Sequence, residues 1–500
     1  TLTKTENGTT TNGMTATRDV KVVGTPKLMN GGAQDIPVGN QFTTGAIGAS
    51  RSGNIKYTSY SISTITFVTN KNVPSTAEAS WDVSYTSGDG EVIAWVIPNA
   101  SNSNRYDLYI GADDTTIEVS SASFLFNGYG NCTAINNLTM LDTSNTTSMH
   151  CMFQSCSSLT SLDVSNFDTS NVTDMSSMFY KCSNLSSLNL GNFNTSNVTD
   201  MSSMFSKCSS LTSLNLGNFN TSNVTDMSSM FSECSSLTNL DLNSFNTSKV
   251  TDMSFMFNKC SNLSSLNLNN FDTSSVTNMR AMFQSCNNLK NLNLSSFNTS
   301  NVTDMGYMFY GCSNITSLDV TNFDTSKVTN MQSMFSGCSN ITSLDVTNFD
   351  TSKVTNMQSM FSGCSNIPSL DVTNFDTSNV TNMGYMFSGC NNLPSLDVTN
   401  FDTSNVTSME RMFKGCSNIT SLNLSSFDTS KVTAMYYMFN SCSNLTTLNI
   451  SNFDTSKVTN MADMFSGCSN LTSIVLDKGI TSSDQAMKLS TGTGLDSLSN

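Results

Sequence analysis

The sequence predicts an α/β repeat solenoid, with a short strand, a turn and a short helix in each 26-residue coil, preceded by a small β-rich N-terminal domain. Three observations predict it. Met-Phe recurs with Phe at 153, 179, 205, 231, 257, 283, 309, 335, 361, 387, 413, 439 and 465, a step of 26 residues without insertion across 13 copies, and Cys follows each Phe by three. Within the unit, apolar residues alternate in one stretch and fall at helical spacing in another. Residues 311–336 and 337–362 are identical, both reading GCSNITSLDVTNFDTSKVTNMQSMFS. Copying a unit extends a surface; it does not assemble the unlike groups that an active site needs.

The chain falls into four parts. Residues 1–57, rich in Thr, Gly and Asn, are expected to be an arm or attachment segment. Residues 58–130 carry ISTITFV, EVIAWVI, YDLYIG and TIEVSSASFLF, expected as a small β domain that covers the first coil's open edge, with Trp81 and Trp95 in its core. Residues 131–476 hold the repeats, beginning with a degraded copy, LDTSNTTSMHCMF, as capping requires. Residues 477–500 read as a polar tail.

Each coil is legible from LTSLDVSNFDTSNVTDMSSMFYKCSN, starting at Leu159. Leu159, Leu162 and Val164 suit a short strand with one buried face. Phe167 plugs the following turn, where Asp168, Thr169 and Ser170 bond nearby amides. Thr173, repeated through Thr459, reads as a helix N-cap, followed by acidic Asp174, Asp200, Asp226, Asp252 and Asp304. Met175, Met178, Phe179 and Cys182 then form an apolar stripe at i, i+3, i+4 and i+7 on a two-turn helix. Stacked at strand spacing, the coils are expected to extend on the order of 60 Å.

This unit is leucine-rich-repeat-like. The string MFxxCxxLxxLDVxxFDTSxVTxM, over about residues 141–476, closely resembles the BspA-like leucine-rich-repeat surface proteins, in their 26-residue branch. SWDVSYTSGDGEVIAWVIPN and YDLYIGADDTTIEVSSASFLFNGYGN resemble the leader that precedes those repeats. The resemblance implies a cell-surface adhesin or interaction scaffold without catalytic activity. No lipoprotein cysteine or wall-sorting motif accompanies it.

Charge narrows the partners. With 22 basic and 37 acidic residues the formal charge is −15, which disfavours nucleic acid and anionic lipid. No stretch approaches the ~18 apolar residues of a membrane span. The first residues, TLTKTENGTTTNG, lack the features of a signal peptide, and STGTGLDSLSN shows no hydrophobic anchor. The expectation is a leader already removed, or export by no such route.

Four sets of residues carry candidate chemistry. The single histidine, His150, adjoins Cys151, but neighbours in a strand or helix point apart and no third group orients the imidazole, so no working dyad is expected. The thirteen repeat cysteines are expected as free, buried thiols, with Cys132 and Cys151 the pair best placed to form a disulfide. Asp319, Asp345, Asp371 and Asp397 belong to an Asp/Asn column on the strand face, expected as a hydrogen-bonded ladder, with calcium as the weaker alternative. No other metal and no cofactor is expected.

The position opposite the apolar stripe varies freely: Ser177, Ser203, Ser229, Phe255, Ala281, Tyr307, Ser333, Ser359, Tyr385, Arg411, Tyr437 and Asp463. Exposed aromatics serve protein or sugar contact. The binding candidates are therefore Phe255, Tyr307, Tyr310, Tyr385, Tyr436 and Tyr437. The expected function is an extracellular, non-enzymatic adhesin or recognition scaffold for a protein or glycan. The alternative is a structural subunit of a filament, surface layer or phage particle, self-assembling through the N-terminal arm or solenoid ends.

Overall fold

A computed structural model of the chain describes residues 3–6, 9–12, 20–21, 57, 59–83, 92–114, 116–119 and 121–476. Most of the expected arm at 1–57 and the tail at 477–500 lie outside the described residues. The chain forms two compact units, Thr1–Lys249 and Val250–Asn500.

The first unit holds the β-rich part. Its strands are β1 (Thr3–Glu6), β2 (Thr9–Asn12), β3 (Val20–Lys21), β4 (Ile62–Val68), β5 (Ala79–Asp82), β6 (Val92–Pro98), β7 (Tyr106–Ala112), β8 (Ile117–Val119), β9 (Ala134–Asn136) and β10 (Leu141–Asp142). The largest sheet has the order β5-β6-β7-β4-β9, with β4 parallel to both β7 and β9. Trp81 and Trp95 are buried in it, and Trp95 stacks on Tyr109 at 5.7 Å. A second sheet, β10-β8-β3, pairs β8 with Leu141 and Asp142 of the first degraded repeat. Ala122, Phe124, Phe126 and Gly128 donate backbone N–H groups to the carbonyls of Ser148, His150, Met152 and Gln154. The coil stacking pattern thus reaches upstream of the first Met-Phe motif.

The repeat core follows the apolar pattern closely. In the coil that starts at Leu159, the side chains of Leu159, Leu162, Val164, Phe167, Val172, Met175, Met178, Phe179 and Cys182 are all buried. The Met-Phe phenylalanines form a stack of rings. In the first unit, centroids of Phe153, Phe179, Phe205 and Phe231 are 5.6 to 5.8 Å apart. In the second, the stack runs from Phe257 to Phe465 at 5.7 to 5.9 Å. Such aromatic pairs add about 0.5–1.5 kcal/mol beyond the area they bury.

The expected helix is replaced by turns. Met178 N–H donates to the Met175 carbonyl, Tyr180 to Ser177 and Cys182 to Phe179, three overlapping i to i+3 turns. The alternate amides reach the next coil: Met175 donates to Asp200, Ser177 to Ser202, Phe179 to Met204 and Lys181 to Ser206. Side-by-side helices need about 8–10 Å between axes. Coils joined by direct backbone hydrogen bonds cannot open that far, so the segment flattens. An inward stripe at i, i+3, i+4 and i+7 is satisfied by either conformation.

The remaining expectations for the coil change with it. Thr173 caps no helix: its N–H and its hydroxyl both donate to the Thr147 carbonyl of the preceding coil, at 2.9 and 3.3 Å. Of the expected strand in every coil, paired strands form among the described residues only at β11 (Ser317–Leu318) with β12 (Ser343–Leu344), and at β13 (Thr447–Ile450) with β14 (Ser473–Leu476). Elsewhere the LxxLxV stretch forms no strand, and single bonds such as Ser186 N–H to the Thr160 carbonyl tie it to the preceding coil. The parallel backbone contacts recur instead at the position after the Thr, as in Asp174 with Asp200 and Asn330 with Asn356. Thr169, a turn residue, is buried and ties two coils: its hydroxyl donates to the Asn194 carbonyl and accepts from Asn194 N–H.

Candidate functional site

Two left-handed residues shape the turn segment of each coil. The first is the freely varying position, with φ of 56° at Ser177, 57° at Phe255, 61° at Tyr307, 62° at Tyr385, 53° at Arg411 and 58° at Tyr437. The second lies four residues on and is glycine in Gly311, Gly337, Gly363, Gly389, Gly415 and Gly467. A left-handed L-residue costs roughly 1–2 kcal/mol, which glycine avoids. The first position is never glycine in the thirteen copies, although its backbone asks for glycine as much as the second does.

What stands there forms clusters. Arg411 is surrounded by three of the six aromatic candidates, its guanidinium 5.1 Å from the Tyr385 ring, 5.4 Å from Tyr436 and 5.1 Å from Tyr437. Its Nη1 donates to the Tyr385 hydroxyl at 2.6 Å, and Lys414 Nζ lies 5.2 Å from the Tyr437 ring. Tyr436 and Tyr437 meet edge to face at 5.9 Å. A hydrogen bond to the Glu410 carboxylate, with some desolvation, pushes the Tyr436 hydroxyl above its ordinary range and keeps it a donor. Each cation–π contact is worth about 0.5–1 kcal/mol at such half-exposed sites.

Tyr307 and Tyr310 also meet, at 5.8 Å, although on a turn and not on a helix face. Arg280 covers Tyr307 at 4.8 Å and reaches Asp304 at 3.5 Å. Phe255 stands two coils before Tyr307 in the same column, outside both clusters. Sequence reading missed the arginines as hubs. The signal was present in the 26-residue spacing of Tyr385, Arg411 and Tyr437, which sets them in one column on successive coils.

The acidic column differs from the expected ladder. Asp319 Oδ1 accepts from the hydroxyl and the N–H of its own Thr321, at 2.6 and 3.1 Å. Asp345, Asp371 and Asp397 do the same with Thr347, Thr373 and Thr399. These bonds, the hydroxyl's first, hold all four carboxyls below their ordinary range. They are local turns and not a ladder between coils. Among the described residues no group of three or more His, Cys, Asp or Glu side chains is placed to hold a metal ion.

None of the fifteen cysteines, all among the described residues, forms a disulfide. Each repeat thiol with a described partner donates to a Phe carbonyl one coil back, as Cys182 to Phe153 and Cys364 to Phe335, at 3.1 and 3.2 Å. Cys132 and Cys151, the pair best placed for a disulfide, are not bonded to each other: the Cys132 thiol donates to the Ala134 carbonyl and Cys151 turns toward His150. That contact corrects the expectation that the two side chains point apart: Cys151 Sγ lies 3.2 Å from His150 Nε2. Cys151 has φ 55°, and this left-handed turn brings neighbouring side chains to one side.

Comparison with known proteins rests on the repeats. A family model described as "Mycoplasma protein of unknown function, DUF285" matches residues 120–239, 207–318, 310–419 and 387–489, about three quarters of the chain. The chain belongs to the DUF285 family. No curated protein matches this DUF285 chain. A solved structure, "Crystal structure of TLR13-ssRNA13 complex", is 17% identical, with 69% of the DUF285 chain and 61% of the solved chain covered, at a TM-score of 0.23. The DUF285 chain therefore spans less than two thirds of that protein. Among its described residues no helix is long and apolar enough to cross a membrane.

Proposed function

We propose that this DUF285 repeat protein is a non-catalytic recognition scaffold, extracellular or cell-surface, that binds a protein or glycan through the turn face of its coils. In this reading residues 1–57 attach, 58–130 cap, 131–476 present the binding face and 477–500 are a tail. The repeated MFxxCxxLxxLDVxxFDTSxVTxM supports placing it with the BspA-like leucine-rich-repeat surface proteins.

The observation that carries the reading is the first left-handed column. A position where glycine costs least holds Tyr307, Tyr385, Arg411 and Tyr437 instead, and the last three gather on successive coils. Strained backbone bearing bulky, half-exposed aromatics is retained for what the side chains touch. Tyr and Arg are also the residues that dominate binding hot spots.

The test compares the intact chain with Arg411→Ala, Tyr437→Ala and the control Ser333→Ala for binding to a glycan panel and to matrix proteins. At least a tenfold loss in the first two, with the control unchanged, is expected. Equal binding by all three sinks the reading. Concentration-dependent polymers without ligand binding would instead favour a structural subunit of a filament, surface layer or phage particle.

A further inference from the structure

His150, Cys151, Asp174 and Ser176 form a chain of polar contacts in the first unit, well away from the tyrosine clusters in sequence. Cys151 Sγ lies 3.2 Å from His150 Nε2. On the other side of the ring, His150 Nδ1 is 2.6 Å from the Ser176 hydroxyl, which donates to Asp174 Oδ1 at 2.5 Å. Asp174 Oδ1 also accepts from Ser176 N–H at 2.9 Å and lies 4.0 Å from His150 Nδ1. Because Ser176 gives its proton to Asp174, its oxygen accepts from Nδ1–H. That leaves Nε2 as the lone-pair nitrogen facing the thiol. Phe124, edge to face with the imidazole at 4.9 Å, holds the ring in place.

The other fourteen cysteines differ on two counts. Each is 0% exposed, whereas Cys151 is 4% exposed, beside an imidazole whose side chain is 35% exposed. The other thiols whose contacts are described donate to backbone carbonyls, which cannot take a proton; Cys151 faces a base.

We infer that Cys151 and His150 are a nucleophile–base pair that makes Cys151 a selective site for thiol–disulfide exchange with a low-molecular-weight disulfide. In the exchange the Cys151 proton passes to His150 Nε2 as the sulfur attacks one sulfur of the disulfide. A new S–S bond to Cys151 forms, the original S–S bond breaks, and the departing thiolate takes the proton from His150 and leaves as a thiol. Ser176 and Asp174 are positioning residues that fix the tautomer. Burial pushes the Cys151 thiol up to about 12, so little thiolate exists at neutral pH and the adjacent base is what enables attack.

The experiment treats the full, reduced chain with 5,5′-dithiobis(2-nitrobenzoate) at pH 7.5 and follows thiolate release, then maps the adduct by peptide mass. One fast equivalent per chain at Cys151 is expected, with the remaining thiols reacting only in denaturant. Cys151→Ser removes the fast phase and Cys132→Ser preserves it. His150→Gln slows it at least tenfold, with an unchanged unfolding midpoint to show that the coil is intact. Ser176→Ala slows it less. A fast equivalent at any other cysteine, no reaction before unfolding, or a folded His150→Gln variant that reacts as fast as the parent overturns the proposal.

Discussion

Phe335 and Phe361 occupy the same position in the two identical coils, and their rings stack with centroids 5.7 Å apart and planes 7° from parallel. Each ring has a neighbour on both sides, since Phe335 also stacks on Phe309 and Phe361 on Phe387. Phe361→Ala therefore removes two stacking contacts and opens a cavity that the hydrogen-bonded coils cannot collapse to fill. A loss of about 3–5 kcal/mol is expected, read by urea denaturation. Phe361→Leu should cost clearly less.

Deleting residues 337–362 should leave a folded protein. The N–H groups of Met331, Ser333 and Phe335 donate to the carbonyls of Asn356, Gln358 and Met360; the following coil offers Asn382, Gly384 and Met386 at the equivalent places. After the deletion those carbonyls take over the same bonds. Inserting one residue between Ser333 and Met334 should be far worse, because it shifts every later bond of that coil. Circular dichroism and the unfolding midpoint distinguish the two outcomes.

Glycine exchanges at the two left-handed positions should have opposite signs. Gly363 has φ +73°, and a Cβ there would meet the Gly337 Cα at 3.5 Å, ordinary contact, so strain and not collision sets the cost. Gly363→Ala is expected to destabilise by about 1–2 kcal/mol. Ser359, at φ 58°, should become neutral to slightly more stable as Gly, since relief of strain offsets the added chain entropy. Tyr385→Gly should keep stability while losing partner binding, the combination expected of a residue retained for contact.

Stability should fall on the alkaline side. Burial pushes the Cys312 and Cys416 thiols from an ordinary value near 9 up to about 12. Between those values the unfolded chain has released the proton and the folded chain has not, so the unfolded state binds fewer protons and is favoured as pH rises. The contribution is complete below about pH 9 and is lost toward 12, each thiol changing the folding equilibrium by up to tenfold per pH unit. Urea midpoints measured from pH 7 to 10.5 should stay level up to about pH 9 and fall steeply beyond it. A midpoint that stays level to pH 10.5 would contradict the buried-thiol assignment.

The buried side of each coil was legible in the sequence because solvent exclusion imposes its own period. Leu162, Val164, Phe167, Met175, Phe179 and Cys182 are all buried where their spacing placed them. Backbone conformation was less legible, since the same inward spacing serves a helix and a run of turns. A clue lay in MSSMFSKC, where serines stand in place of strong helix formers such as Ala, Leu and Glu. The tyrosines of the candidate site were found because they vary between copies. Arg411, the group that organises three of them, went unnoticed because its role depends on contacts 26 residues apart. The contact between His150 and Cys151 was not legible, because left-handed backbone at Cys151 cannot be inferred from their adjacency.

The regular offset of the inter-coil bonds also bears on inheritance. Coding stretches that specify the same 26 residues side by side invite unequal exchange, and here the product of such an exchange is one coil more or fewer, in register. Tyr385, Arg411 and Tyr437 would move along the chain together, their spacing unaltered. A lineage carrying this protein can change how many coils precede that group in a single step, while leaving the group itself as it was.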